Sequence, residues 1–182
     1  MKTLPFHLFF MLSLTACSPD GDTPVKAMSQ ASPGVQNNKF KDDLIHAIDI
    51  SDRVVVTEHS YQFDSWDDNL NKSLIPVNII YKKREITSGD KRHFLKIIKT
   101  LDGEIQHKHS LCAFEPHHSI DFYENGKLSS TMDICFTCNE IEWKGSKANP
   151  PLSLYSGLET LINDLGMESK KDWIAESKKH QN

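Results

Sequence analysis

Asn125-Gly126, set between two runs that alternate apolar and polar side chains, most narrows what this chain can fold into. Gly takes the positive φ of a tight turn without steric cost and Asn tolerates it, so this dipeptide is a strong short-range hairpin signal. Ile120-Asp121-Phe122-Tyr123 on one side and Leu128 to Cys135 on the other are the predicted strands. Two registers are open. A three-residue Glu124-Asn125-Gly126 loop pairs Tyr123 with Lys127, sets Phe122 against Leu128 and His118 against Met132, and brings Cys112 opposite Cys138 if the ladder runs that far. A two-residue turn sets Cys138 against Ala113 instead. Pro116 is expected to interrupt the ladder, so either register brings Cys112 only into the neighbourhood of Cys135-Phe136-Thr137-Cys138.

The rest of the chain mixes both periodicities. Phe40, Leu44, Ile45 and Ile48 fall on one helical stripe, and Asp52 to Thr57 is a β-branched strand. Trp66 to Ser73 reads as a loop. Pro76 to Tyr81 is a further strand, with Arg84 to Thr87 extending it beyond a short break. Ser88 is placed to cap a helix whose Phe94, Leu95, Ile97, Ile98 and Leu101 form its buried face, and Leu101-Asp102-Gly103 stops it. Ile141-Glu142-Trp143 adds a strand. Leu154, Leu158, Leu161, Ile162 and Leu165 form an amphipathic helix ended by Gly166. Residues 170–182 are helical at best and mostly charged. These elements predict an α+β fold: a small, mainly antiparallel sheet with a central β-hairpin, packed by about three helices. The 182 residues leave no room for two full-sized domains, and residues 39–182 are long enough to bury a core without staples.

The N-terminus carries a different kind of signal. Met1 to Ala16 has one Lys and then an apolar stretch of thirteen residues from Leu4, short of the roughly 20 that cross a bilayer. Leu14-Thr15-Ala16-Cys17 resembles the lipobox of bacterial lipoproteins, in which a small residue precedes the cleaved bond and the following thiol receives the lipid. The resemblance implies that residues 1–16 are a signal peptide and that Cys17 is lipidated. Residues 18–38, rich in Pro, Ser, Asn and Gln, read as a flexible tether. Ser18 stands where an Asp would be the inner-membrane retention signal. The implied address in a Gram-negative host is therefore the periplasmic face of the outer membrane, and in a Gram-positive host the outer face of the cell membrane.

Four histidines and three cysteines crowd into residues 107–138: His107, His109, Cys112, His117, His118, Cys135 and Cys138. Three readings compete. An exported protein meets an oxidising compartment, so two of the cysteines are expected to form a disulfide and leave one thiol over. Alternatively Cys112, Cys135 and Cys138 with His118 hold Zn²⁺, or Cu⁺, because soft thiolates and imidazole suit both ions. Third, Cys135 and Cys138 act as a C-x₂-C redox pair, although no βαβ context surrounds them. His107 and His109 alternate on a possible strand and read as a solvated polar edge.

Cys112-x₃-Pro116-x-His118-x-Ile120-x-Phe122 followed by Cys135-Phe136-x-Cys138 resembles a set of short, uncharacterised bacterial proteins with a C-x₃-P-x-H segment and a later C-F-x-C. Ser51-Asp52-Arg53-Val54 and the helix ending Leu165-Gly166-Met167 are similar as well. The resemblance implies a common fold and points to His118 rather than His117. It supplies no activity.

Charge excludes one class. A formal net charge of −4 argues against a general nucleic-acid binder. Residues 82–99 carry seven cations against two carboxylates, and residues 41–68 eight carboxylates against two cations. Such runs are more often solvated faces that pair with one another than a surface for anionic lipid. Asp67-Asp68 lacks an EF-hand-like loop. The chain has no G-x-S-x-G, Walker, dinucleotide or H-E-x-x-H motif. The expectation is a cell-envelope lipoprotein held to the membrane by lipid on Cys17, with a non-enzymatic binding or accessory domain whose Cys/His cluster is structural. The alternatives are a zinc- or copper-binding lipoprotein and a periplasmic thiol oxidoreductase.

Overall fold

Val54, Val56, Ile120, Phe122, Met132 and Ile134 alternate along three neighbouring strands and are all at most 2 % exposed, which fixes one face of a sheet as the core. The computed structural model describes residues 33–67, 69–70, 72–73, 79–102 and 112–180. Residues 1–16, read as a signal peptide, Cys17, His107, His109 and Asp68 lie outside them. Ala31–Asn182 is one compact unit.

In chain order the elements are α1 (Pro33–Ile50), β1 (Arg53–His59), β2 (Trp66–Asp67), β3 (Lys72–Ser73), β4 (Ile80–Glu85), α2 (Ser88–Thr100), β5 (His118–Glu124), β6 (Lys127–Cys135), β7 (Glu140–Trp143), α3 (Leu154–Asp164) and α4 (Trp173–Lys178). α1 thus begins inside the stretch read as tether. β2 and β3 form a separate two-stranded ladder where a loop was expected. The main sheet has the order β4-β1-β5-β6-β7, and every pairing in it is antiparallel. The fold is α+β with the β5–β6 hairpin at its centre.

Helices cover one face. Phe40, Leu44 and Ile48 of α1, Phe94 and Ile98 of α2, and Leu154, Leu158, Leu161 and Ile162 of α3 join the strand residues in one hydrophobic cluster. The opposite face carries Thr57, Ser119, Asp121, Thr131 and Asp133, the polar half of an alternation natural to antiparallel sheets.

The hairpin combines a two-residue turn with a bulge. Asn125 and Gly126 have φ of 53° and 72°, and Glu124 pairs with Lys127 and Tyr123 with Leu128. Ser129 is then an extra residue, so Phe122 faces Ser130 and His118 faces Ile134. Both predicted registers are corrected beyond that point: His118 lies opposite neither Met132 nor its two-residue-turn equivalent. Asp52 fastens the turn by accepting from Gly126 N at 2.8 Å.

Two other boundaries differ for physical reasons. Thr87, not Ser88, caps α2: its hydroxyl accepts from Asp90 N while the Asp90 carboxylate accepts from Thr87 N, a reciprocal capping box. β4 runs unbroken through Lys82 and Lys83, because it is an edge strand, where exposed cations discourage further pairing. The basic run also has a specific use. Lys82 Nζ donates to Gly166 O at 3.0 Å and Arg84 Nη1 to Leu165 O at 3.1 Å, at the C-terminus of α3. Lys91 Nζ donates to Ser51 O at 3.0 Å, just past α1. Cations at helix C-termini oppose the negative end of the macrodipole. Gly166, with φ of 77°, closes α3 as its position foretold.

Candidate functional site

β1 continues its core-facing alternation past Val54 and Val56 to a carboxylate, Glu58, whose cross-strand partner is His118. Both side chains are essentially inaccessible, at 0 % and 1 %. A buried carboxylate needs partners. Glu58 Oε1 accepts from Lys171 Nζ at 2.5 Å, and Oε2 accepts from the Glu168 backbone N–H at 3.2 Å. His118 Nε2 stands 3.9 Å from Glu58 Oε2, too far for a hydrogen bond, and has no other partner among the described residues.

His118 is held neutral. Burial is the main cause, and the neighbouring His117, His59 and Lys171 add to it against a backbone hydrogen bond at Glu168, so its pKa falls from 6.5 to about 3. In the unfolded chain the ring takes up a proton below about 6.5, whereas the folded ring resists until about 3. Stability from this group is therefore full above that window and falls with acidification through it, by about 1.4 kcal/mol per pH unit. Urea unfolding across the window is expected to show this slope in the wild type and a shallower one in His118→Gln. Parallel slopes would show that His118 is not the group responsible.

His117, its neighbour, packs differently. Its ring stacks on Trp173, with centroids 4.2 Å apart and planes 7° off parallel. Its Nε2–H donates to Asp64 Oδ1 at 2.8 Å, with both side chains buried. Asp64 Oδ2 accepts from Tyr61 N at 2.7 Å, and Asp64 O accepts from the Ser177 hydroxyl at 2.9 Å. Trp173 also meets the edge of His118 and lies nearly parallel to Tyr81 at 6.3 Å, while Lys171 Nζ sits 4.8 Å from the Trp173 ring centre. Lys171, Trp173 and Ser177 all come from the segment after α3. The polar groups of the sheet end thus bind the C-terminal segment down, each through a different contact.

The cysteines resolve into a bridge and a thiol. Cys112 and Cys138 form a disulfide, with Cα atoms 5.7 Å apart across 26 residues of sequence. Cys135 is free and 1 % exposed, at the end of β6. Two of the four candidate metal ligands are therefore bonded to each other, and His118 turns toward Glu58 and the edge of Phe136. Among the described residues no group of three or more His, Cys, Asp or Glu side chains is arranged to hold a metal ion. Cys135 and Cys138 are not paired with one another.

Sequence alone does not point to Glu58, Asp64, Lys171 or Trp173. Glu58 had a signal: a carboxylate two residues after Val56 on a strand whose even positions face the core. Lys171 and Trp173 had none, because nothing local links a charged tail to strands that far back in the chain. No protein-family model matches the chain, and no curated protein or solved structure matches it significantly.

Proposed function

We propose that the chain is a lipid-anchored lipoprotein of the bacterial cell envelope, whose folded part is a non-enzymatic binding or accessory domain with a structural Cys/His region. The observation that carries this reading is the Cys112–Cys138 disulfide. Disulfides persist in oxidising compartments, and the lipobox-like Leu14-Thr15-Ala16-Cys17 independently addresses the chain to one. Lipid on Cys17 makes the membrane its partner, and more than one acyl chain gives stable anchoring. Among the described residues no helix is long and apolar enough to cross a membrane. The structural role of the Cys/His region is supported by what its groups touch. The bridge ties the segment before β5 to the β6–β7 turn, and both buried imidazoles face groups that fasten the C-terminal segment.

The test is processing and partition. Wild-type protein is expected to enter the detergent phase with the mass of a processed, lipidated chain, and Cys17→Ser to accumulate as an unlipidated precursor that does not. Alkylation before and after reduction should find two bridged cysteines and one free one beside Cys17. A Cys17→Ser protein that is processed and membrane-bound like the wild type would remove the anchor. Three alkylatable thiols without reduction would remove its support.

A further inference from the structure

The face of the sheet opposite the helices carries one continuous polar rung. Lys83 pairs with Thr57, Thr57 with Ser119, and Ser119 with Asp133, so a cation, two hydroxyls and a carboxylate follow one another across four strands. These four residues line a cleft of about 270 Å³ together with His59, Ile80 and Asp121. A space of this size falls just below the usual range for ligand pockets, which limits the occupant to a small molecule.

The floor offers hydroxyls that the surrounding protein leaves open to the cleft. Thr57 and Ser119 are 6 % and 8 % exposed, yet neither hydroxyl has a hydrogen-bond partner among the described residues. Both hydroxyls line the cleft, where solvent or a ligand meets them. Asp133 has no hydrogen bond or ion pair there either, and burial, with Asp121 and Glu142 nearby, pushes its carboxyl above the usual range. Asp121 has one oxygen engaged, accepting from the Thr131 hydroxyl at 2.7 Å. His59 Nδ1 donates to Ser60 O at 3.0 Å, so its Nε2 is left as an acceptor when the ring is neutral. The two carboxylates therefore lie on the β5–β6 side, and His59 faces the cleft from β1. The fixed cation, Lys83, is on the β4 side at the end of a flexible stem. Ile80, 53 % exposed, supplies an apolar rim.

We propose that this cleft binds a small zwitterion, an amino acid or short peptide, with its ammonium between Asp121 and Asp133 and its carboxylate on Lys83. Thr57 and Ser119 bridge the middle, each able to donate or accept. A bare cation would leave Lys83 unmatched, and a simple anion would face two carboxylates. The inference rests on the reading of the chain as a binding domain and names the ligand class of that domain. It does not depend on the lipid anchor.

Calorimetric titration of the full-length protein in detergent tests it, with glycine and glycylglycine as probes. One of them is expected to bind saturably at one site, and the same molecule N-acetylated, or ethylamine alone, at least about tenfold more weakly, the worth of one charge-assisted hydrogen bond. Asp133→Asn and Lys83→Met are each expected to weaken the probe by about tenfold or more while retaining cooperative unfolding. Thr57→Val should weaken binding yet leave the melting temperature close to that of the wild type, because the hydroxyl has no protein hydrogen bond to lose. A Thr57 that only supports the fold would give the opposite pattern. If neither probe binds, if ethylamine binds as tightly as glycylglycine, or if Asp133→Asn and Lys83→Met leave affinity unchanged, the proposal falls. Failure of the titration with normal detergent partition removes this ligand class alone, whereas failure of partition removes the anchor alone.

Discussion

Lys171→Met is expected to destabilise the protein by about 3–5 kcal/mol, the usual result of stripping the partner from a buried charge. The Glu58 side chain is inaccessible and Lys171 is 12 % exposed, so no solvent replaces the lost ammonium at Glu58 Oε1. The double variant Glu58→Leu/Lys171→Met should recover much of the loss, because an apolar pair of similar volume needs no counter-charge. Denaturant unfolding of the two single variants and the double closes the cycle. A Lys171→Met protein within about 1 kcal/mol of the wild type would mean that the pair behaves like an exposed one, and that the C-terminal segment does not seal the sheet end.

Loss of the Cys112–Cys138 bridge is expected to cost about 3.5 kcal/mol, from the chain entropy of closing a loop of that length in the unfolded state. Cys112 is exposed, so reductant reaches the bond without prior unfolding. Oxidised and reduced protein, compared by denaturant unfolding, should differ by this amount, and Cys112→Ser should match the reduced form. Cys135→Ser should leave the bridge intact. Equal stability of the oxidised and reduced forms would show that the bridge constrains nothing that folding does not already fix.

The architecture was largely legible because it depends on local periodicity. Phe40, Leu44 and Ile48 on one stripe, Val54 and Val56 on one strand face, and Asn125-Gly126 between alternating runs each state their own structure. The disulfide was legible as one of three options, since composition and compartment name the chemistry while only tertiary structure selects Cys138 over Cys135 as the partner of Cys112. What was not legible is non-local. Lys171 meets Glu58 from 113 residues away, and Trp173 meets His117 and His118, at the entry to β5, from more than fifty. The polar rung was hidden for another reason: Lys83, Thr57, Ser119 and Asp133 become neighbours only once strand order and register are known.

Ser129 has a consequence for how the chain can change in length. Leu128 and Ser130 are two residues apart, which on an ordinary strand means the same face, yet they pair with Tyr123 and Phe122, which point in opposite directions. Omitting Ser129 would make them adjacent and leave every cross-strand partner, from Glu124–Lys127 to His118–Ile134, as it is. Omitting Thr131 or Asp133 instead would turn every side chain between the gap and the bulge inside out, or slide the turn off Asn125-Gly126. β6 therefore contains a single silent syllable: the strand can be shortened there, and its meaning, in the sense of which residues face the helices and which face the open cleft, does not change.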